Sequence, residues 1–153
     1  MGMIWLDHIN IRTANLAAMS RFYNDILGMP KGDRPPFGFS GAWHYVGDRA
    51  AVHLVEVPKG PKGVDPKIEH FALRSKGLAN FVAHLKKRKV DYNTVKVPLT
   101  GMIQVNVLDP DGNHIEVQFE AAEAGATPEA MDRYGDASPA LPTRSAKKVK
   151  QLA

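Results

Sequence analysis

The chain has 153 residues, enough for one domain to bury a core without a disulfide or a structural metal. It has no cysteine, which excludes a disulfide framework, a thiolate metal site and a cysteine nucleophile, and leaves His, Asp and Glu to hold any metal. Its formal charge of +4 is scattered apart from KKRK at 86–89 and KKVK at 147–150, and neither cluster is interleaved with aromatics, so nucleic acid is not an expected partner.

The N-terminal stretch MGMIWLDHINIRT lacks the basic start and apolar run of a signal peptide. No later stretch approaches the ~20 apolar residues that span a bilayer, so a cytoplasmic protein with no membrane partner is expected. DHINIRT at 7–13 alternates as a half-buried strand does. A helical pattern follows, with Leu16, Met19, Phe22, Tyr23, Ile26 and Leu27 on one face, a stop at Gly28 and Pro30 behind it. Three strand candidates come next, at about 29–34, 41–47 and 50–57, separated by turn residues. PKGPKGVDP at 58–66 reads as a linker by composition.

The same order then returns at an offset of 62 residues. EHFALRS at 69–75 lies over DHINIRT, with His70 over His8, Leu73 over Ile11, Arg74 over Arg12 and Leu78 over Leu16. Leu78, Phe81, Val82 and Leu85 repeat the helical stripe, and KKRK is read as that helix's solvated face. Strand candidates follow at about 91–97, 102–108 and 113–119, the last two joined by the turn DPDG at 109–112. The expected fold is therefore α+β, two βαβββ modules at 1–57 and 67–120 forming a curled mixed sheet. Residues 121–153 are expected as an extension, partly irregular or disordered, with one short helix around 127–134.

Residues of equal parity share one face of a strand. Odd positions carry Ile9, Ile11, Phe71, Leu73, Ile103, Val105, Val107, Ile115, Val117 and Phe119, an apolar surface for helices to cover. Even positions carry His8, Asn10, Arg12, His70, Arg74, Gln104, Asn106, His114, Glu116 and Gln118. A polar face is normal for an antiparallel sheet in water. This one is poor in Lys and Glu and rich in His, Asn, Gln and Arg, as the lining of a concave site would be. Two imidazoles and one carboxylate, His8, His70 and Glu116, form a sound ligand set for divalent Zn, Ni, Co, Mn or Fe. For His53, parity leaves the cavity side open, because Ala51 and Val55 lie on its own face and Val52 and Leu54 on the other. Glu56 competes with it, but on the opposite face. His44 and His114 read as surface residues or residues at a pocket mouth.

DHINIRT, EHFALRS and DPDGNHIEVQF, in order and over about residues 3–120, resemble the vicinal oxygen chelate superfamily of glyoxalase I, methylmalonyl-CoA epimerase, fosfomycin-resistance proteins and extradiol dioxygenases. The resemblance implies one divalent metal on His8, His70 and Glu116, with His53 in the place of a fourth ligand. Arg12 looks like the arginine with which glyoxalase I holds an anionic end of its substrate, and Asn10, Trp43 and Gln104 are the other expected substrate contacts.

The implied activity is a lyase or isomerase reaction on a small oxygenated substrate through an enediolate or enolate, with Glu116 as catalytic base and the chain as a homodimer. An extradiol-type dioxygenase using Fe(II) is the alternative enzyme, since the same triad serves non-haem iron oxygenases and His53 would then be free for acid or base work. A metal-free, ligand-sequestering resistance protein, holding its ligand among Trp43, Tyr45 and Phe37, is the alternative outside catalysis.

Overall fold

A computed structural model describes residues 5–62, 68, 70–97 and 99–126. The expected C-terminal tail beyond 126, with its short helix around 127–134, lies outside the described residues. The chain divides into two compact units, with the division between residues 64 and 65.

The first unit runs β1 (Ile9–Thr13), α1 (Leu16–Arg21), β2 (Lys31–Gly32), β3 (Gly41–Val46) and β4 (Arg49–Glu56). Its four-stranded sheet has the order β1-β4-β3-β2, with β1 parallel to β4 and the other neighbours antiparallel. Asn15 caps α1 by accepting from the Ala18 amide. The single helix expected up to Leu27 changes pitch, because Phe22–Ile26 form a π-helical turn closed by Leu27 N–H to the Phe22 carbonyl. Gly28 then takes φ +66°, a conformation that glycine adopts without steric cost, and ends the segment. Ala18, Met19, Phe22 and Tyr23 are buried together with Ala42, Val52 and Leu54 of the sheet.

The second unit repeats the plan as β5 (His70–Arg74), α2 (Leu78–Arg88), β6 (Tyr92–Lys96), β7 (Ile103–Leu108) and β8 (His114–Phe119). Its sheet order, β5-β8-β7-β6, again puts the first strand parallel to the last. Leu78, Val82 and Leu85 of α2 are buried, as are Ile103, Val105, Val107, Ile115, Val117 and Phe119 of the sheet, the odd positions of β7 and β8. A 3₁₀ segment at Ala121–Ala126 follows β8. Its Glu123 carboxylate accepts from the Gly77 and Leu78 amides, satisfying two of the donors that the start of α2 leaves open. The α+β expectation of two strand-helix-strands modules matches this architecture.

His44 corrects one reading of the sequence, since it is fully buried rather than at a surface or pocket mouth. Its Nδ1–H donates to the Met29 carbonyl at 2.8 Å, so its Nε2 accepts from the Ser20 hydroxyl at 3.0 Å. Burial lowers its pKa; the Met29 hydrogen bond opposes this shift and nearby Lys31 adds to it. A histidine whose pKa is lower in the fold than in the unfolded chain stabilises fully above the unfolded value of about 6.5 and loses that contribution as pH falls through the folded value. Urea unfolding is therefore expected to show lower stability at pH 5.5 than at pH 7.5. His44→Gln should lose less between the two pH values, and an unchanged pH dependence in that variant would contradict the assignment.

Candidate functional site

In the first unit the register sets Asn10 beside His53 and Trp43 on its other side. Val52 and Leu54, of opposite parity, are buried with the residues of α1, so His53 faces away from the helix. This settles the side that parity left open. Glu56 shares the helix side, where it lines a cavity of about 320 Å³ with Leu16, Ala17, Ser20, Arg21, Lys31 and Ala42.

His8 precedes β1 and lies flat on His53, with ring centroids 3.9 Å apart and planes 17° from parallel. The other face of His53 lies on Trp43, at 4.0 Å and 8°. His53 is thus the middle member of a three-ring stack. Burial and then the neighbouring His8 push its pKa down, with the Ala50 backbone and Asp7 opposing. His8 Nδ1–H donates to Asp7 Oδ1 at 2.7 Å, and that hydrogen bond, ahead of the nearby positive charges, holds the Asp7 carboxyl below the usual range. A carboxylate on one ring nitrogen fixes which nitrogen remains to bind a ligand, here Nε2 of His8.

An imidazole holds a metal close to its own ring plane. Planes stacked at 3.9 Å and 17° meet far from either ring, so one ion can take both His8 and His53 only if one ring turns out of the stack. Asn10 and Arg12 are exposed on the same face as His53. Among the described residues, Arg12 has no hydrogen bond or ion pair.

In the second unit Ala72 stands opposite Glu116 and His70 opposite His114. Glu116 is 5% exposed. Its Oε1 accepts from the Gln118 amide, and its Oε2 lies 4.0 Å from His70 Nε2. Those are its polar partners among the described residues. His114, expected at the surface, is instead buried, and its Nε2–H donates to Asn106 Oδ1 at 2.8 Å. Its ring centre lies 5.1 Å from that of His70. Asn106 pairs across the strands with Glu116 and is fully buried, yet among the described residues its Nδ2 has no hydrogen-bond partner. Gln104 sits opposite Gln118, half-buried, on the same face.

Within neither unit do three His, Asp or Glu side chains stand close enough together to hold an ion, among the described residues. Each unit offers a pair instead, His8 with His53 and His70 with Glu116. Asp7, Asn106 and Gln118 carry no expected role of their own in the sequence. The signal for Asp7 was its adjacency to His8, and for Gln118 its parity with Glu116.

A family model described as the Glyoxalase/Bleomycin resistance protein/Dioxygenase superfamily matches residues 5–117. Among solved structures, a glyoxalase family protein from Bacillus anthracis matches with a TM-score of 0.67 at 19% identity, covering 78% of this chain and 98% of that one. A glyoxalase/dioxygenase from Nostoc punctiforme matches with a TM-score of 0.62 at 20% identity, over 76% of this chain and 90% of that one. Lactoylglutathione lyase from Agrobacterium tumefaciens matches with a TM-score of 0.56 at 17% identity, over 75% and 92%. At such identities the likeness is one of fold. No curated protein matches the chain significantly.

Proposed function

Since the chain belongs to the glyoxalase/bleomycin resistance protein/dioxygenase superfamily, we propose that it is a divalent-metal-dependent enzyme of the lyase or isomerase type. It acts on a small oxygenated substrate, as a cytoplasmic homodimer, with His8, His53, His70 and Glu116 as the metal's ligands.

The observation that carries this reading is the environment of Glu116, a buried carboxylate with one amide donor and a histidine nitrogen at 4.0 Å. Burying a carboxylate costs several kcal/mol unless an opposite charge compensates it, and a cation supplies that charge. Two donors bound to one ion at about 2.1 Å lie roughly 3–3.5 Å apart at octahedral or tetrahedral angles. The His70–Glu116 separation of 4.0 Å is within a small side-chain rotation of that range. The donor set therefore fits a divalent ion of the Zn, Ni, Co, Mn or Fe type.

A bound cation would act as a Lewis acid for the negative charge that develops on the substrate's oxygens when a proton leaves the neighbouring carbon. The chain's own residues do the rest. Gln118 holds Glu116 Oε1, which leaves Oε2 to face the ion and, when loosened from it, to serve as the proposed proton acceptor. Asp7 orients His8. Arg12 receives an anionic group of the substrate, with Asn10, Trp43 and Gln104 as further contacts, and the Asn106 amide offers a buried donor to a substrate oxygen.

The ring stack favours a second reading. With His53 retained between Trp43 and His8, the ligands reduce to His8, His70 and Glu116. Two histidines and a carboxylate suit an Fe(II) extradiol-type dioxygenase, with His53 beside the metal rather than on it.

Calorimetric titration with Zn(II), Mn(II) and Co(II) is expected to show one ion per chain, with Glu116→Gln and His70→Ala each weakening it at least about a hundredfold. Absence of binding by the unaltered protein would overturn the metal reading. Gln118→Leu, which keeps side-chain bulk but removes the amide, is expected to weaken metal binding by about 10–100-fold. Isomerisation of hemithioacetals or epimerisation of acyl thioesters would support the first reading, and catechol-dependent oxygen uptake with Fe(II) the second.

A further inference from the structure

The first unit carries a second cavity, on the side of its sheet opposite to His53. It encloses about 320 Å³ between α1 and the sheet, a volume at which small-molecule pockets begin. Small residues leave the space, since Ala17 of α1 and Ala42 of β3 line it with single methyl groups. The candidate metal ligands have no part in it, because Val52 and Leu54 pack on this side of β4 and His53 projects from the other.

Charge is divided along the cavity. Lys31 pairs with His44, and the Glu56 amide donates to the Ser40 carbonyl. The two residues therefore flank positions 44 and 40 of one extended run, about 13 Å apart at the rise of a strand. The helix repeats the division. Leu16, at its start, follows closely on Thr13, the strand partner of Glu56, whereas Ser20, near its end, donates to His44 beside Lys31. Arg21 comes next to Ser20. One end thus carries two cations, Arg21 and Lys31, the other end carries the Glu56 carboxylate, and Leu16, Ala17 and Ala42 supply apolar surface between them.

That division decides what fits. Among the described residues, neither the Glu56 carboxylate nor the Lys31 ammonium has a hydrogen bond or ion pair. A simple anion or a simple cation would answer only one end, while a linear molecule with opposite charges at its two ends answers both. Strand side chains stand roughly perpendicular to their sheet, so the two charged groups keep about the spacing of their backbones. A hydrogen bond of about 3 Å at each end leaves roughly 7 Å between the charges of the ligand, a chain of about five methylenes.

We propose that this cavity is a binding site for a linear ω-amino carboxylate, with its carboxylate on Arg21 and Lys31, its ammonium on Glu56 and its methylenes against Ala17 and Ala42. The site is separate from the metal-dependent reading of the opposite face and does not rest on it.

Three probes separate the contributions: 6-aminohexanoate has both charges, hexanoate lacks the ammonium and hexylamine lacks the carboxylate. Each would be titrated into the full chain and followed by the amides of Ala17 and Ala42 in NMR. The doubly charged probe is expected to bind about tenfold more tightly than either of the others. Glycine, whose charges are adjacent, should bind no more tightly than hexanoate.

Glu56→Gln should bring 6-aminohexanoate down to the affinity of hexanoate and leave hexanoate unchanged. Lys31→Met should weaken both carboxylates and spare hexylamine. Ala17→Leu fills the cavity from an exposed helix position, and should abolish binding of all three probes with the melting temperature kept. Zn(II) affinity should be unchanged in every variant, so that failure of the metal reading and failure of this site are read separately. Unmoved Ala17 and Ala42 amides, equal affinities for the three probes, or a preference that survives Glu56→Gln would overturn the site.

Discussion

The candidate pair in each unit depends on a parallel pairing between that unit's first and last strands, β1 with β4 and β5 with β8. A parallel pair cannot be joined by a tight turn and needs a crossover. Here a helix and a pair of antiparallel strands supply it, so residues 45 or 46 positions apart become neighbours. Asn10 opposite His53 brings His8 onto His53, and Ala72 opposite Glu116 brings His70 to it. A slip of one residue in β4 or β8 would turn His53 or Glu116 to the helix side. The burial of Val52 and Leu54, and of Ile115, Val117 and Phe119, sets the register against that slip, so apolar packing on one face positions the polar groups on the other.

That dependence explains what could be read from the chain alone. Alternation of period two and the 62-residue offset are local or periodic signals, and they were enough for the strands, the two helices and the repeated module. The polar face of β7 and β8 was legible for the same reason, because Gln104, Asn106, His114, Glu116 and Gln118 keep one parity while the other is uniformly apolar. β4 gave no such contrast, since small or apolar residues flank His53 on both faces. Its side is defined by the packing of Val52 and Leu54 beside α1 and by its pairing with Asn10 and Trp43, and contacts across 43 or 10 residues are not written in β4 itself. The ring stack was illegible for a related reason, as it needs the backbone to bring residues 8, 43 and 53 together.

His44 and His114 were misread because a histidine's surroundings are set by partners distant in sequence. His44 finds Met29 and Ser20, 15 and 24 residues away, and with both ring nitrogens engaged it can be buried without an unsatisfied group. The π-helical turn was hidden too. A stripe of Leu16, Met19, Phe22, Tyr23, Ile26 and Leu27 is compatible with either pitch, and the wider turn shows only in the bond from Leu27 to Phe22.

The buried polar groups of the two units differ in a way that bears on function. His44 is satisfied within the protein, and such a group contributes rigidity and specificity to a core. Glu116 and Asn106, opposite one another on β8 and β7, are buried like His44 but less well provided. Among the described residues, one is a carboxylate with a single amide donor, the other an amide with a donor left open. Folding alone gains nothing from burying an acid and an idle donor side by side, since apolar residues of similar volume would cost less. The arrangement becomes favourable when something from outside the chain supplies a positive charge to the first and an acceptor to the second. A divalent ion that carries an oxygenated ligand has both properties, and this argument needs only the two neighbouring strands on which Asn106 and Glu116 stand.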